Sequence, residues 1–472
     1  MNILLIFGII CSILVEFINA GSVFGKTFKI LHNEPPPPKS LGRHLILNSV
    51  IEQKVDNFDP NNNATWLMRY KGNPEHHKSG GPIFIFLGGE WSISDGFITA
   101  GHFYDMAAEN NAYLFYTEHR YYGKSFPTSD LRTENLKYLT VGQALADLAY
   151  FIKVQKQKPQ FKESKIVIAG GSYSATMVTW FRQKYPELSV GGWSSSAPLF
   201  AKVDFIEYHE VTGKAIKLVG GENCYNRIEK GVKEFEIMMD TKRYEELKTL
   251  FNICDNFNSN DKYDVMSLFT SISQIGAALV QGHNKGSIER DCGVILSGET
   301  DVEGIAKWIN SYLGGGCNDF TYKTSVKDLS YTELSSNIYR QWIYQTCNEF
   351  GWYQTSGSTN QPFGKTFPVD LSEKWCEDVY GITKDQLHKN IANTNEMYGG
   401  WQPNVTNVFF THGQLDPWHP MGVHVNEDGE NNIIPLYAHC KDFGSIQDSD
   451  TEEMKNSKEK LSKLVKKWLS DK

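Results

Sequence analysis

Three side chains, far apart along the chain, have the right types to break an acyl bond together. Ser172 lies in Gly170-Gly171-Ser172-Tyr173-Ser174, Asp416 in Asp416-Pro417-Trp418, and His439 in Tyr437-Ala438-His439-Cys440. A serine hydroxyl is a weak nucleophile unless an imidazole takes its proton, and that ring needs a carboxylate to orient it. Ser172 would attack, His439 would act as general base and then return the proton to the leaving amine, and Asp416 would hold His439. The oxyanion formed on attack needs N–H donors, for which the backbone of Tyr173 and of Gly89, in Gly88-Gly89-Glu90-Trp91, is suited. This chemistry calls for no metal and no cofactor, and the Cys and His spacings hold no zinc pattern.

Other groups compete for these roles. His412 and His419 flank Asp416 closely, but a base there would leave the last strand without a part in the site. His119, in Glu118-His119-Arg120-Tyr121-Tyr122-Gly123, reads as a structural hydrogen-bonding residue, and Asp442 as a local cap or salt-bridge partner. The pattern around Ser172 is G-x-S-x-G with Ser174 in the last glycine position, the smallest replacement after alanine.

The elements that must position these groups alternate. Residues 82–87, 112–117, 166–169, 188–194, 406–410 and 433–436 read as strands, the first (PIFIFL) apolar throughout like a buried parallel strand. Residues 97–110, 139–154 and 451–469 carry apolar groups at helical spacing, and a helix starts near Ala175. Alternating strands and helices predict an α/β fold with a mostly parallel sheet, whose reactive groups gather beyond the strand C-termini. Ser172, Asp416 and His439 each follow a strand, in the Ser…Asp…His order of an α/β-hydrolase. From about 203 to 380 amphipathic helices and clustered cysteines replace the alternation, which predicts an inserted, mainly helical cap domain. The cap would divide a first hydrolase part, 46–202, from a second, 381–472. Tyr339–Phe350 supplies Trp342, Tyr344 and Glu349 as candidate substrate contacts, with Trp418 and Glu90 from the hydrolase parts. Glu90 and Glu349 are both candidates for holding a peptide amine.

Bulk properties narrow the setting. A formal net charge of −8 offers no general attraction to nucleic acid. Ile3–Val15 is apolar and short, with Ala20 beyond it, so residues 1–20 read as a secretory signal rather than a stable membrane insertion. Residues 21–45, with Pro35–Pro38, read as a propeptide or extended arm with no reason to join a core. In a secreted chain Cys224, Cys254, Cys292, Cys317, Cys347 and Cys376 would form three disulfides, with connectivity open, leaving Cys440 as the spare thiol. Asn63 and Asn404 head glycosylation sequons.

As an ordered set, Pro82–Glu90, Glu118–Gly123, Gly170–Ala175, Ser194–Pro198, Asp416–Trp418 and His439 resemble the family of lysosomal Pro-X carboxypeptidase, dipeptidyl peptidase II and thymus-specific serine protease. The resemblance runs from about Gln53 to Cys440. It implies Ser172, Asp416 and His439 as the triad and a serine exopeptidase acting on short peptides after proline or a small residue. It also implies lysosomal or secreted location and a possible homodimer. This chain departs from the family at Ser174, at Asn57 where many members have His, and at Cys440 where two branches have a second His. Cys440 and Gly88-Gly89-Glu90 are closer to the thymus-specific branch. The rival expectations are an esterase or lipase of the same fold, and a secreted binding protein with an inactive site.

Overall fold

Residues 22–471, apart from 41 and 431, are described by a computed structural model; the expected signal segment lies outside them. The strands are β1 (Leu47–Lys54), β2 (Thr65–Asn73), β3 (Ile83–Leu87), β4 (Tyr113–Thr117), β5 (Ile166–Gly171), β6 (Gly191–Ser195), β7 (Lys202–Phe205), β8 (Gly351–Gln354), β9 (Val408–Gly413) and β10 (Ile433–Ile434). Eight form one sheet in the order β1-β2-β4-β3-β5-β6-β9-β10. From β4 to β10 all neighbours are parallel, while β1 and β2 add an antiparallel edge. This is the α/β-hydrolase arrangement the alternation predicts.

β3 shows why the sheet must be covered on both faces. Ile83, Ile85 and Leu87 point into one apolar cluster, with Phe151, Val178 and Phe181, while Phe84 and Phe86 point into another, with Phe103, Met106 and Trp468. The C-terminal helix, Glu452–Ser470, buries Leu461, Val465 and Trp468 and leaves Lys463, Lys466 and Lys467 exposed. A Cβ at Gly191 would lie 2.2 Å from the Trp468 ring, so the helix packs flat on β6 only because that residue is glycine.

Between β6 and β9 the chain is helical apart from the β7–β8 ribbon, with its own apolar cluster around Phe235, Phe269, Ile305 and Trp308. Disulfides join Cys224–Cys292, Cys254–Cys317 and Cys347–Cys376, and Cys440 is the free, buried thiol, as the cysteine count predicts. A second cluster ties this layer to the sheet, since Trp342, Phe350 and Trp352 pack with Tyr173 and Trp180. Glu349 strengthens the same junction. Both of its oxygens accept the Val141 N–H, 3.0 and 3.1 Å away, at the start of the helix Val141–Lys156.

The expectation that residues 21–45 have no reason to join a core does not hold. Val23–Leu31 is a helix, capped by Ser22, with Val23, Phe24, Phe28 and Leu31 buried. The apolar i, i+1, i+5, i+8 spacing makes a narrow helical stripe that the nearby prolines obscured. Phe28 meets Tyr339 edge-on at 4.9 Å, and Gln281 donates to the Leu31 carbonyl at 2.8 Å. Beyond the helix, Glu34 accepts from Tyr116 and from the Ser94 hydroxyl and N–H, while Pro37 and Pro38 lie against Gly96 and Gly101. β1 was also unforeseen: it is mostly exposed, held by its pairing with β2 rather than by an apolar face. The strand expected at 433–436 is only two residues long.

Phe28→Ala should cost about 3–5 kcal/mol, seen as a lower urea midpoint; an unchanged midpoint would contradict the place of this segment in the core. Burial pushes the Glu349 carboxyl up to about 8, against the pull of its Val141 and Gln345 hydrogen bonds. Folded protein therefore keeps a proton that unfolded chain releases above 4.5, and stability falls as pH rises from there to about 8. Glu349→Gln should flatten that fall in urea titrations at several pH values; an unaltered slope would contradict it.

Candidate active site

Ser172 sits where β5 turns directly into the helix Tyr173–Lys184. Its backbone has φ 58° and ψ −133°, a conformation that L-residues avoid and that lifts the side chain off the turn. Close approach makes the turn possible. A Cβ at Gly170 would lie 2.6 Å from the Ser174 carbonyl oxygen, so a glycine is required there. Ser174 itself fits: its hydroxyl accepts from Gly171 N–H and donates to the Gly171 carbonyl, both at 2.9 Å, and it is fully buried.

Asp416 and His439 meet. The His439 Nδ1 lies 2.9 Å from both Asp416 carboxylate oxygens, and Trp418 N–H donates to Oδ1 at 3.0 Å. Burial opposes charge on both groups, but their mutual attraction and hydrogen bond prevail, holding Asp416 below and His439 above its ordinary value. Such a pair stabilises an imidazolium.

Ser195 and Ser196, which the sequence reading did not single out for the site, connect the two halves. The Ser195 carbonyl accepts from Ser172 N–H at 2.9 Å, and the Ser196 hydroxyl accepts from Cys440 N–H at 3.0 Å. Asp442 fixes the same loop, accepting from the Ser195 hydroxyl at 2.6 Å and from Thr411. Two successive residues at the end of β6 thus hold the backbone of the serine and that of the residue after the histidine. Asp442 is a clamp across strands rather than a local cap. Its signals were a carboxylate three residues past His439 and, far away in the chain, the serine run Ser194–Ser196 at the end of a strand.

The remaining candidates fall into place around this line. Gly88 N–H is occupied by the Thr117 carbonyl at 2.8 Å, while Gly89 begins the loop proper, with the Trp91 ring where its Cβ would be. Tyr173 is the first helical residue, so its N–H has no intrahelical acceptor. The Tyr173 hydroxyl is 3.0 Å from both His119 Nε2 and Gln345 Nε2, so His119 does serve a buried network. His412 is buried and held near 3 by desolvation, which keeps it neutral, and His419 Nδ1 is 2.8 Å from the Asp416 carbonyl. Trp418 lies 6.4 Å from the His439 ring and edge-on to Trp352 at 5.8 Å; Trp342 lies 5.6 Å from Tyr173 and 6.4 Å from Trp352. Tyr344 instead packs on Tyr380, and Glu349 is tied to the Val141 helix. Asn57, at the departure from the family pattern, donates to Asp147, the buried partner of Arg120. Asn63 and Asn404 are exposed.

The serine carboxypeptidase S28 family matches residues 53–461. Mouse thymus-specific serine protease is 30% identical, covering 89% of this chain and 87% of its own. The human protein of the same name is 28% identical, with 89% and 86% covered. Bovine lysosomal Pro-X carboxypeptidase is 26% identical, again with 89% and 87% covered. No helix among the described residues is long and apolar enough to cross a membrane. With a family match over most of its length, the chain belongs to the serine carboxypeptidase S28 family and is a serine-type peptidase.

Proposed function

We propose that Ser172, His439 and Asp416 form a charge-coupled triad that removes residues from one end of short peptides by way of an acyl-enzyme. The observation that carries this reading is the bonding line from Asp416 through His439 and the Ser195–Ser196 pair to Ser172. His439 takes the Ser172 proton as the hydroxyl attacks, and the N–H groups of Tyr173 and Gly89 receive the oxyanion. Loss of one such donor costs about 3 kcal/mol in transition-state stabilisation. His439 then protonates the leaving amine, and water repeats the sequence on the acyl-serine.

The aromatic surface of Trp342, Trp352 and Trp418 between Tyr173 and His439 supports a proline or small apolar residue at the cleavage position. Rigid aromatic rings suit a ring that needs no hydrogen bond, and a charged side chain there would lose its water without compensation. The helical layer above the sheet favours short peptides over folded proteins. The disulfides and the two exposed sequons accord with secretion or a lysosomal location.

Fluorophosphonate should label the wild type at Ser172, and Ser172→Ala should abolish labelling and lower peptide hydrolysis by about 10^6-fold. Unlabelled active wild-type enzyme would contradict the triad. Mass spectrometry of products from proline-containing peptides should show single C-terminal residues or N-terminal dipeptides released after proline. Cleavage in the middle of peptides blocked at both ends would contradict an exopeptidase.

A further inference from the structure

Glu90 is a buried carboxylate whose partner is missing. It follows Gly89 just past the end of β3, its side chain is 5% exposed, and its Oε2 has no hydrogen-bond donor among the described residues. The one basic side chain within 4.0 Å among the described residues, His32 through Nδ1, is 3.9 Å from Oε1, too far for a hydrogen bond. An ionised carboxylate so placed costs several kcal/mol until a cation reaches it. Glu90 stands on the floor of a cleft walled by His32 and Glu34 from the N-terminal segment, Ser92 from its own loop, and Asn337 and Tyr339 from the helical layer.

The other acidic groups nearby are engaged. Glu34 already accepts from Ser94 and Tyr116, and burial raises its carboxyl toward the neutral form. Glu349 caps the Val141 helix. Three basic side chains are engaged too: Arg120 by Asp147, Arg340 by the Leu131 and Leu329 carbonyls, and Lys441 by Asn284. Lys29, also on the cleft wall, is exposed to solvent.

We infer that Glu90 receives the α-ammonium of a peptide substrate, which makes the enzyme one that reads the N-terminus and releases short N-terminal pieces. The inference rests on the Ser172 peptidase reading above. Geometry sets the length of the piece. Glu90 adjoins Gly89, where the scissile carbonyl oxygen would lie, and successive Cα atoms are about 3.8 Å apart. An ammonium on the Glu90 carboxylate therefore stands one or two residues before the cut, which favours dipeptides. The ammonium supplies donors to the unpartnered Oε2 and restores charge balance around a buried carboxylate. Trp342 ties this floor to the aromatic wall, since its ring lies 5.2 Å from His32 as well as 5.6 Å from Tyr173.

The test uses the mature enzyme with one C-amidated peptide carrying proline second, its N-terminus either free or acetylated. In the wild type, acetylation should lower kcat/KM by about 30-fold or more, the scale of removing one partner of a buried charge pair. In Glu90→Gln the ratio of free to acetylated peptide should collapse toward one. Because the ratio is taken within one enzyme, a general loss of activity cancels, and Glu90→Asp, with a shorter reach, should give an intermediate ratio. Wild-type enzyme that is labelled at Ser172 yet ignores acetylation overturns the inference alone. So does a Glu90→Gln enzyme that keeps the full wild-type ratio. Wild-type enzyme that hydrolyses peptide without reacting at Ser172 would instead overturn the reading beneath it.

Discussion

The parallel pairing of β5, β6 and β9 is the constraint on which the site depends. It brings Gly171 beside Ser195 and Ser195 beside Thr411, so three strand ends reach one rim in register. The next residues then bond across that rim: Ser172 N–H to Ser195, Ser196 N–H to Thr411, and Cys440 N–H to the Ser196 hydroxyl. A slip of one residue in β6 would reverse its inward and outward faces and separate the serine from the histidine. The unfavourable φ of Ser172 persists because this neighbouring structure over-determines it.

The helical layer and the N-terminal segment act on the same rim from above. The Tyr173 hydroxyl, bonded to His119 below and Gln345 above, links the turn at Ser172 to the inserted helices. The N-terminal helix packs against Tyr339 and Trp375 in that layer, and the segment after it runs over Tyr116 and Ser94 of the sheet domain. Removing either would alter the walls of the cleft above Glu90 as well as the stability of the chain.

Much of this was legible in the residues. β3 and β5 are short apolar runs ended by glycines, and a serine, an aspartate and a histidine after three strands suffice to propose a shared rim. The cysteine count anticipated which thiol stays free. Less visible were features whose cause is tertiary. The helix Val23–Leu31 has only a narrow apolar stripe and precedes a proline run, so its burial depends on partners hundreds of residues away. The Ser195–Asp442 clamp is a pair of ordinary polar residues whose proximity is set by strand register alone. Glu349 and Glu90 looked equivalent in the sequence. Only the fold shows that one caps a helix while the other keeps an oxygen without a donor.

The central claim is that Asp416 acts through His439 on the Ser172 hydroxyl, and kcat/KM of Asp416→Asn at neutral pH tests it most directly. An asparagine keeps the shape but removes the charge that orients and stabilises the imidazolium, so the account predicts a fall of about 10^4-fold, the scale seen when a triad aspartate is changed to asparagine. A folded Asp416→Asn enzyme that retains activity within a fewfold of the wild type would contradict it.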